Sequence, residues 1–284
     1  MESGTSNLAQ TIERELAQAA GKDQLDLPTL PEVALRIRDT ASNRNVSGAA
    51  LAGVISEDPA LSAQLLRMAN SSLFRASRPI EDMQTAITRM GVEYTANLAT
   101  GLALQRMFQS TSELIDRKLR ETWAQATDVA AICGVLARSF TDLPADQATL
   151  AGLTHSIGVL PILAWAEEND ALIENEQILD RVVESARGSI GTMILTRWNF
   201  SADMACIPSL LRRYDRQVAD TDFVDIVQIA ELQSVIGTEH PLNDLDWSTI
   251  TAFTRLGLDA ENARETLDSF RDAFQMARDF TAEI

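Results

Sequence analysis

The sequence predicts an all-α protein, and three observations support that prediction. Hydrophobic residues make up 45% of the 284 residues whereas aromatic residues make up only 5%, and many segments are rich in alanine, leucine and isoleucine. Apolar residues recur at helical spacing within these segments. Short polar turns separate them, and no stretch shows the alternating pattern of a half-buried strand. A chain of this length can form one large helical domain, or two closely associated ones, with an ample core.

Proline, aspartate and glycine mark the helices of the first half. An amphipathic helix is predicted over residues 8–20, where Gly21 ends it, and Pro31 suits the first turn of the next helix. Asp58 and Pro59 form a helix start, because the carboxylate caps free N–H groups and the proline ring lies in the first turn. The other helices predicted in this half cover about residues 48–56, 80–90 and 93–108.

The second half of the chain is predicted to be helical throughout. Its helices are expected near residues 113–140, 146–166, 171–186, 188–198, 202–213, 222–237, 247–255 and 261–282. Residues 147–166 contain no charged side chain, which raises the question of a membrane span. The same stretch includes His155, Pro161 and several hydroxyl side chains, so we predict a buried core helix and no membrane span.

Charge and cysteine content bear on the partners and the compartment. A net charge of −17 and a pI of about 4.5 oppose contact with a nucleic-acid backbone, so no nucleic-acid partner is expected. Residues 1–6 lack the basic and apolar regions of a signal peptide, which favours a cytoplasmic location. Cys133 and Cys206 lie in apolar helical runs and are predicted to be buried, reduced thiols without an activating environment.

Histidine is rare in this chain. The only two histidines are His155, in the segment Ala151-Gly152-Leu153-Thr154-His155-Ser156-Ile157-Gly158, and His240, which precedes Pro241 in a polar loop. Protein sites for transition metals use several imidazoles together with ionised carboxylates. The hydroxyl of Ser156, next to His155, is neutral at any working pH. A histidine-rich metal centre therefore cannot be assembled from this chain.

Several short motifs occur in a fixed order along the chain. They are Leu27-Pro28-Thr29-Leu30-Pro31-Glu32-Val33, Asp58-Pro59-Ala60-Leu61, Leu65-Leu66-Arg67-Met68-Ala69-Asn70-Ser71, Ala86-Ile87 with Met90-Gly91, Trp123, the segment around His155, and Arg197-Trp198-Asn199. This pattern resembles the HDOD family, the HD-related output domains of bacterial signalling proteins, distant relatives of the HD and HD-GYP metal-dependent phosphohydrolases. The resemblance covers about residues 22–235. It implies a multi-helix HD-domain-like fold with an N-terminal helical bundle packed on it.

The same resemblance implies a division of the chain. Residues 1–21 would form a helical leader, residues 22–235 the HDOD domain, and residues 236–284 a C-terminal helical extension. Within the domain, residues 22–110 would form the N-terminal bundle and residues 111–235 the HD-like half.

The relationship to phosphohydrolases also implies positions at which metal ligands would stand. Counted from Trp123 and from Arg197-Trp198, these positions hold Gln125, His155, Ser156, Arg187, Gln228 and Glu231, and Leu211-Arg212 stand where some relatives carry a histidine pair. One imidazole and one carboxylate are left, while Arg187 would repel a cation and is able to pair with Glu231 instead. The resemblance thus implies a vestigial site without catalytic residues, metal or cofactor. His155 is interpreted as a core residue hydrogen-bonded to the backbone or to Ser156.

We therefore expect a non-catalytic signal-transduction module that binds a protein partner, and not an enzyme. Two alternatives stay open: a metal-dependent phosphohydrolase with an unconventional site, and a sensor of a cyclic dinucleotide or another anion. The sensor hypothesis draws on Arg187 and on the Arg-x-x-Asp tetrads at residues 36–39 and 212–215, which i,i+3 ion pairs explain more simply. Core packing is expected for the methionines on apolar helical faces, Met68, Met83, Met90 and Met107.

Overall fold

The structure is a computed structural model that describes residues 25–43, 46–71, 74, 79–259 and 262–282, together with residues 11, 12, 14, 16 and 18. Helices account for 71% of it, and no strand occurs within these ranges. The all-α prediction is confirmed. The leader helix predicted over residues 8–20 is helical at its five described positions, and its other residues lie outside the described part of the chain.

The α-helices of the described ranges are numbered here in chain order. They are α1 (Glu32–Ser42), α2 (Gly48–Ser56), α3 (Pro59–Ala69), α4 (Met83–Met90), α5 (Val92–Ala103), α6 (Glu113–Phe140), α7 (Ala145–Thr154), α8 (Val159–Glu167), α9 (Asp170–Ile173), α10 (Glu176–Arg197), α11 (Ala202–Ala205), α12 (Ile207–Leu210), α13 (Phe223–Ser234), α14 (Thr251–Arg255), α15 (Ala263–Asp268) and α16 (Arg271–Ala282). Three 3-10 helices cover Gln105–Met107, Pro241–Asp244 and Trp247–Thr249. Asp58 caps α3 as predicted, because its carboxylate accepts hydrogen bonds from the N–H groups of Ala60 and Leu61.

The single helix predicted over residues 146–166 is wrong. The chain forms α7 and α8 instead, with a turn between them that contains His155 and Gly158. Pro161 is the physical reason: it has no N–H, and a new helix beginning at Val159 places it in the first turn, where no such donor is needed. Residues 145–167 are long and apolar enough to cross a membrane, but 89% of their most apolar 18-residue window is buried inside the protein.

Other predicted boundaries also need correction. The helices expected at 171–186 and 188–198 are α9 and the continuous α10, in which Gly188 does not break the helix. A Cβ at Gly188 would lie 2.8 Å from the carbonyl oxygen of Pro208, so the glycine serves a close backbone approach. The helix expected at 202–213 is divided into α11 and α12, because Pro208 lies in the first turn of α12. The helix expected at 261–282 is divided by a turn from which Phe270 packs against Phe140, with ring centroids 4.9 Å apart.

The helices form two compact units, each built from separate segments of the chain. The first unit contains residues 1–29, 106–123 and 155–212, and the second contains residues 30–105, 124–154 and 213–284. The long helix α6 therefore contributes residues to both. The expected division of the HDOD domain after residue 110 stays a prediction.

The second unit contains a bundle of helices that includes α1 to α5. In this unit α1 and α7 both pack against α5, and α2 packs against α4. The bundle encloses a core of aliphatic side chains, among them Leu51, Ile55, Leu65, Met68 and Ile87. Met83 and Met90 belong to the same core, as predicted. Met107 is the exception, since it lies in the first unit and is only partly buried.

Asn70 accounts for the Ala-Asn-Ser motif at the end of α3. Its Nδ2 donates to the carbonyl oxygens of Leu66 at 2.9 Å and Ile80 at 2.8 Å, while its Oδ1 accepts a hydrogen bond of 2.7 Å from the N–H of Ile80. One side chain thus satisfies both backbone groups of Ile80, just before α4. The motif has a structural role in the bundle.

A cluster of charged side chains ties α14 to α13. Asp225 is fully buried and accepts hydrogen bonds from Arg255 Nη2 at 2.7 Å, Arg255 Nε at 2.8 Å and Arg216 Nη1 at 3.1 Å. Arg255 also donates to the carbonyl oxygen of Arg216 at 3.0 Å. Asp222, which caps α13, accepts a second bond of 3.0 Å from Arg216. These charge-assisted bonds hold α14 against α13.

Candidate functional site

The turn between α7 and α8 carries the motif histidine. His155 is 2% exposed and Ser156 is 3% exposed. Ser156 Oγ lies 3.3 Å from His155 Nε2, and the tautomer of the imidazole decides which of the two donates. His155 is thus a buried residue, as predicted, and Ser156, one of the two hydrogen-bond partners expected for it, lies within reach.

Gly158 brings this turn directly onto α10. A Cβ at Gly158 would lie 2.0 Å from the carbonyl oxygen of Arg187 and 2.6 Å from the backbone nitrogen of Gly191, distances at which no side chain fits. The backbones of the turn and of α10 are therefore in contact. In the first unit the structure thus brings together the turn that carries His155 and Ser156 and the helical turn that carries Arg187.

Arg187 forms an ion pair on its own helix. Its Nε lies 2.8 Å from Glu184 Oε2, and its side chain is 14% exposed. The other oxygen of Glu184 accepts a hydrogen bond of 2.8 Å from Arg212 Nε. Glu184 therefore bridges Arg187 and Arg212, which are two of the positions where a metal-binding relative would carry ligands.

The two Arg-x-x-Asp tetrads are not held by internal ion pairs, so that interpretation is wrong. Arg36 reaches Glu57, with Nη2 2.7 Å from Oε1, and Arg212 reaches Glu184. In each tetrad the arginine has a glutamate partner on a different part of the chain, because a long guanidinium side chain can span neighbouring helices as easily as one helical turn.

The remaining candidate positions belong to the second unit. Gln125 is partly exposed on α6, whereas Gln228 and Glu231 on α13 are buried. Gln228 Nε2 donates to the carbonyl oxygen of Arg213 at 3.1 Å. The pairing of Arg187 with Glu231 stays a prediction.

The two cysteines are free thiols that differ in burial. Cys133 is fully buried, and burial, together with the negative charge of Glu231, raises the pKa of its thiol. A thiol in this state is protonated at neutral pH and is a poor nucleophile. Cys206 is only partly buried, which corrects the prediction that both thiols are buried, and its Sγ donates to the carbonyl oxygen of Asp203 at 3.4 Å.

The residues at the candidate positions do not fit a divalent metal ion. They provide one imidazole, one carboxylate, one hydroxyl, two amides and one guanidinium, and the guanidinium of Arg187 repels a cation. Ser156 stands where a carboxylate would neutralise the metal, and its hydroxyl stays neutral. In the part of the chain that the structure describes, no group of three or more His, Cys, Asp or Glu side chains is arranged to hold a metal ion.

A cavity in the first unit was not anticipated from the sequence. It has a volume of about 330 Å³, and it is lined by some of the residues of three segments, 26–28, 107–119 and 160–167. These three segments are far apart in the chain, so no spacing between their residues indicates that they share a cavity.

The comparison with protein families identifies the class of protein. The HDOD domain family matches residues 27–207, which is most of the chain, and the chain belongs to that family. An uncharacterized protein of Treponema pallidum (strain Nichols) is 28% identical over 204 residues, or 67% of this chain. The match spans only 38% of the length of that relative.

Three solved structures share the fold. The "Putative metal-dependent phosphohydrolase" from Shewanella amazonensis SB2B is 26% identical with a TM-score of 0.83, and the match covers 96% of this chain and 99% of that one. An HDOD domain protein with unknown function from Geobacter sulfurreducens is 20% identical, with a TM-score of 0.67 and coverage of 97% and 99%. A "Putative signal transduction protein" from Marinobacter aquaeolei VT8 is 22% identical, with a TM-score of 0.65 and coverage of 96% and 66%. The expected HD-like helical fold is confirmed.

Proposed function

We propose that this HDOD chain is a non-catalytic regulatory module of bacterial signalling that acts by binding another protein. The observation that carries the proposal is the set of side chains at the candidate metal positions. A phosphohydrolase of this fold would use bound metal to activate water and to stabilise the charge on the phosphoryl group. Here Ser156 replaces a carboxylate, Arg187 introduces a positive charge, and Gln125 and Gln228 provide only neutral amides.

The choice of a protein partner follows from charge and family. A net charge of −17 disfavours binding to the phosphate backbone of a nucleic acid. The Marinobacter protein of the same fold is named as a signal transduction protein, which supports a signalling role for this chain as well. A cytoplasmic location is part of the proposal, since both cysteines are free thiols, which suits a reducing compartment.

The competing function is phosphohydrolysis, which the name of the Shewanella structure suggests. The test is to purify the protein without chelators, measure its metal content by mass spectrometry, and assay phosphodiester and nucleotide hydrolysis with added Mg²⁺, Mn²⁺, Fe²⁺ or Zn²⁺. We expect metal well below one ion per chain and no hydrolysis above that of a His155→Ala control. Stoichiometric metal, or a turnover that His155→Ala abolishes, would overturn the non-catalytic proposal.

The partner is tested separately. Affinity capture from the source bacterium should retain a protein that the purified chain then binds directly, as measured by size-exclusion chromatography and isothermal titration. A chain that is inactive in every hydrolysis assay and forms no complex with any captured protein would contradict the protein-binding part alone.

A further inference from the structure

The cavity of the first unit has an apolar floor. Ile115 and Leu119 on α6 and Leu160 and Pro161 on α8 are buried residues that line it. Its volume of about 330 Å³ is at the lower end of the range for pockets that hold small organic molecules. An apolar floor of this size favours a ligand with a hydrocarbon or aromatic body.

The rim of the cavity is negatively charged. Asp26 and Glu167 are the charged residues among the described residues that line it, and none of these is a lysine or arginine. In the described part of the chain neither carboxylate forms an ion pair with a basic side chain. A negative rim around an apolar floor attracts a cation and repels an anion.

The basic side chains of the adjoining part of α6 are directed to other acids. Arg117 pairs with Glu176 at 2.9 Å, and Lys118 pairs with the same glutamate at 2.9 Å. Arg120 pairs with Asp116 at 2.7 Å. Among the described residues, these basic side chains therefore neutralise other acids and not Asp26 or Glu167.

The walls of the cavity are held in place before any ligand binds. Ser110 Oγ donates to Glu167 Oε1 at 2.8 Å, and the N–H of Ser110 donates to Asp116 Oδ1 at 3.1 Å. On the opposite segment, the carbonyl oxygen of Pro28 accepts a hydrogen bond of 2.9 Å from Trp198 Nε1. The side chain of Glu167 and the segment that follows Asp26 are therefore held by hydrogen bonds, which lowers the entropy lost on binding.

We propose that this cavity binds a small organic cation, with an ammonium or guanidinium group at Asp26 and Glu167 and an apolar body on the floor formed by α6 and α8. None of the candidate metal positions is among the residues that line the cavity, and its occupation does not require the chain to be catalytic or to bind a protein. The protein would then bind a small ligand in its first unit, in addition to any role in binding a protein partner.

The probe for this proposal is 4-phenylbutylamine, with 4-phenylbutan-1-ol and 4-phenylbutyrate as neutral and anionic analogues. Isothermal titration or protein-detected NMR should show binding of the amine, binding of the alcohol about tenfold weaker, and no binding of the acid, since a hydrogen-bonded charge contributes roughly 1.5 kcal/mol or more. Equal affinity for all three, or no affinity for the amine, would overturn the proposal.

Three variants locate the site. Glu167→Gln and Asp26→Asn should each weaken amine binding by about tenfold while leaving the Kd of the alcohol within about twofold. Glu168→Gln is the matched control, because Glu168 is an exposed neighbour that does not line the cavity, and it should change neither Kd. An equal loss in Glu168→Gln would show nonspecific attraction to an acidic chain and would overturn the site.

The last variant fills the cavity. Ala164 is exposed and lines the rim, so Ala164→Phe should abolish binding of both the amine and the alcohol without unfolding the protein, as checked by circular dichroism and by Tm. Binding that survives Ala164→Phe with an unchanged Kd would place the ligand elsewhere and reject the cavity.

Discussion

Asp225 in the second unit and the His155–Ser156 pair in the first unit are both buried, but they are stabilised in different ways. Asp225 receives three hydrogen bonds from the guanidinium groups of Arg216 and Arg255. His155 and Ser156 form a hydrogen bond with each other, and the serine needs no counter-ion. The comparison indicates that a buried carboxylate is tolerated where arginines face it. At position 156 a carboxylate would need a metal to balance its charge, and the chain has a neutral serine there.

The largest effect is expected when the buried carboxylate of Asp225 is removed. Asp225→Ala should destabilise the protein by about 3–5 kcal/mol, because Arg216 and Arg255, only 8% and 10% exposed, would lose their buried partner. The free energy of unfolding in urea measures it. Glu265→Ala is the control, since Glu265 is exposed on α15 and should change stability by less than about 0.5 kcal/mol. A loss below about 1 kcal/mol for Asp225→Ala would contradict the conclusion that Asp225 and the two arginines stabilise one another.

The second prediction concerns the backbone contact between Gly158, in the turn that carries His155 and Ser156, and α10. Gly158→Ala should cost about 3 kcal/mol, because its Cβ would lie 2.0 Å from the carbonyl oxygen of Arg187 and a helical backbone cannot move aside cheaply. The matched control is Gly53→Ala on α2, where nothing lies within 4 Å of the added Cβ. This control should be stabilised by about 0.5–1 kcal/mol, as alanine favours helix over glycine. Thermal and urea unfolding of both variants decide between these opposite signs.

The third prediction replaces the neutral hydroxyl of Ser156 with a carboxylate. Ser156→Asp should lower stability at pH 7 by about 2–3 kcal/mol, since burial disfavours the ionised form. Burial would raise the pKa of this carboxyl above its unfolded value, so the penalty should be absent below about pH 4 and grow as the pH rises through the folded pKa. Ser156→Asn is a neutral control of the same size and should show no such pH dependence. Wild-type stability at pH 7, or hydrolysis gained by Ser156→Asp, would contradict the interpretation of this site.

The success of the sequence prediction depends on the range of the interactions involved. The bounds of α2 and α6 agree with the predicted 48–56 and 113–140, because helical periodicity and end signals are local. The break at His155 was missed because the uncharged apolar run of residues 147–166 was given more weight than Pro161, which is unfavourable inside a helix and suits the first turn of a new one. The charged cluster joins Arg216, Asp225 and Arg255, which no local pattern connects.

The same limit applies to the candidate site. The shortage of metal ligands depends on residue identity alone, so it is visible in the sequence, as is the likeness to the HDOD family. The ion pair between Arg187 and Glu184 could not be predicted from the sequence. Glu184 lies on the same helix, and a glutamate at that spacing is common on exposed helices without any special role.

The fourth prediction removes the imidazole of His155. His155→Ala should destabilise by about 1–3 kcal/mol, through loss of a buried hydrogen bond and a small cavity. His240→Ala is the matched control: His240 is exposed and its Nδ1 accepts a hydrogen bond from the N–H of Leu242 at 3.2 Å, so a loss of about 0.5 kcal/mol is expected. Urea unfolding compares the two. A His155→Ala protein as stable as the wild type would show that the pair contributes nothing to the fold.

The smallest effect is expected at Asp128, a carboxyl that stands between the two extremes of the comparison. It is partly buried on α6, and burial raises its pKa although the positive charge of Arg278 acts in the opposite direction. Because the folded pKa lies above the unfolded one, ionisation of Asp128 opposes folding, and this cost appears as the pH rises above about 4.

Asp128→Asn should therefore be slightly more stable than the wild type at pH 7, by well under 1 kcal/mol because the group is partly solvated. At pH 3 the difference should vanish, since the wild-type carboxyl is then protonated in both states. Urea unfolding at the two pH values measures it, and Asp142→Asn, at an exposed position beyond the end of α6, should show no difference at either. A variant less stable than the wild type at pH 7 would mean that the attraction of Arg278 outweighs burial, and Asp128 would then belong with Asp225 among the carboxylates held by arginine.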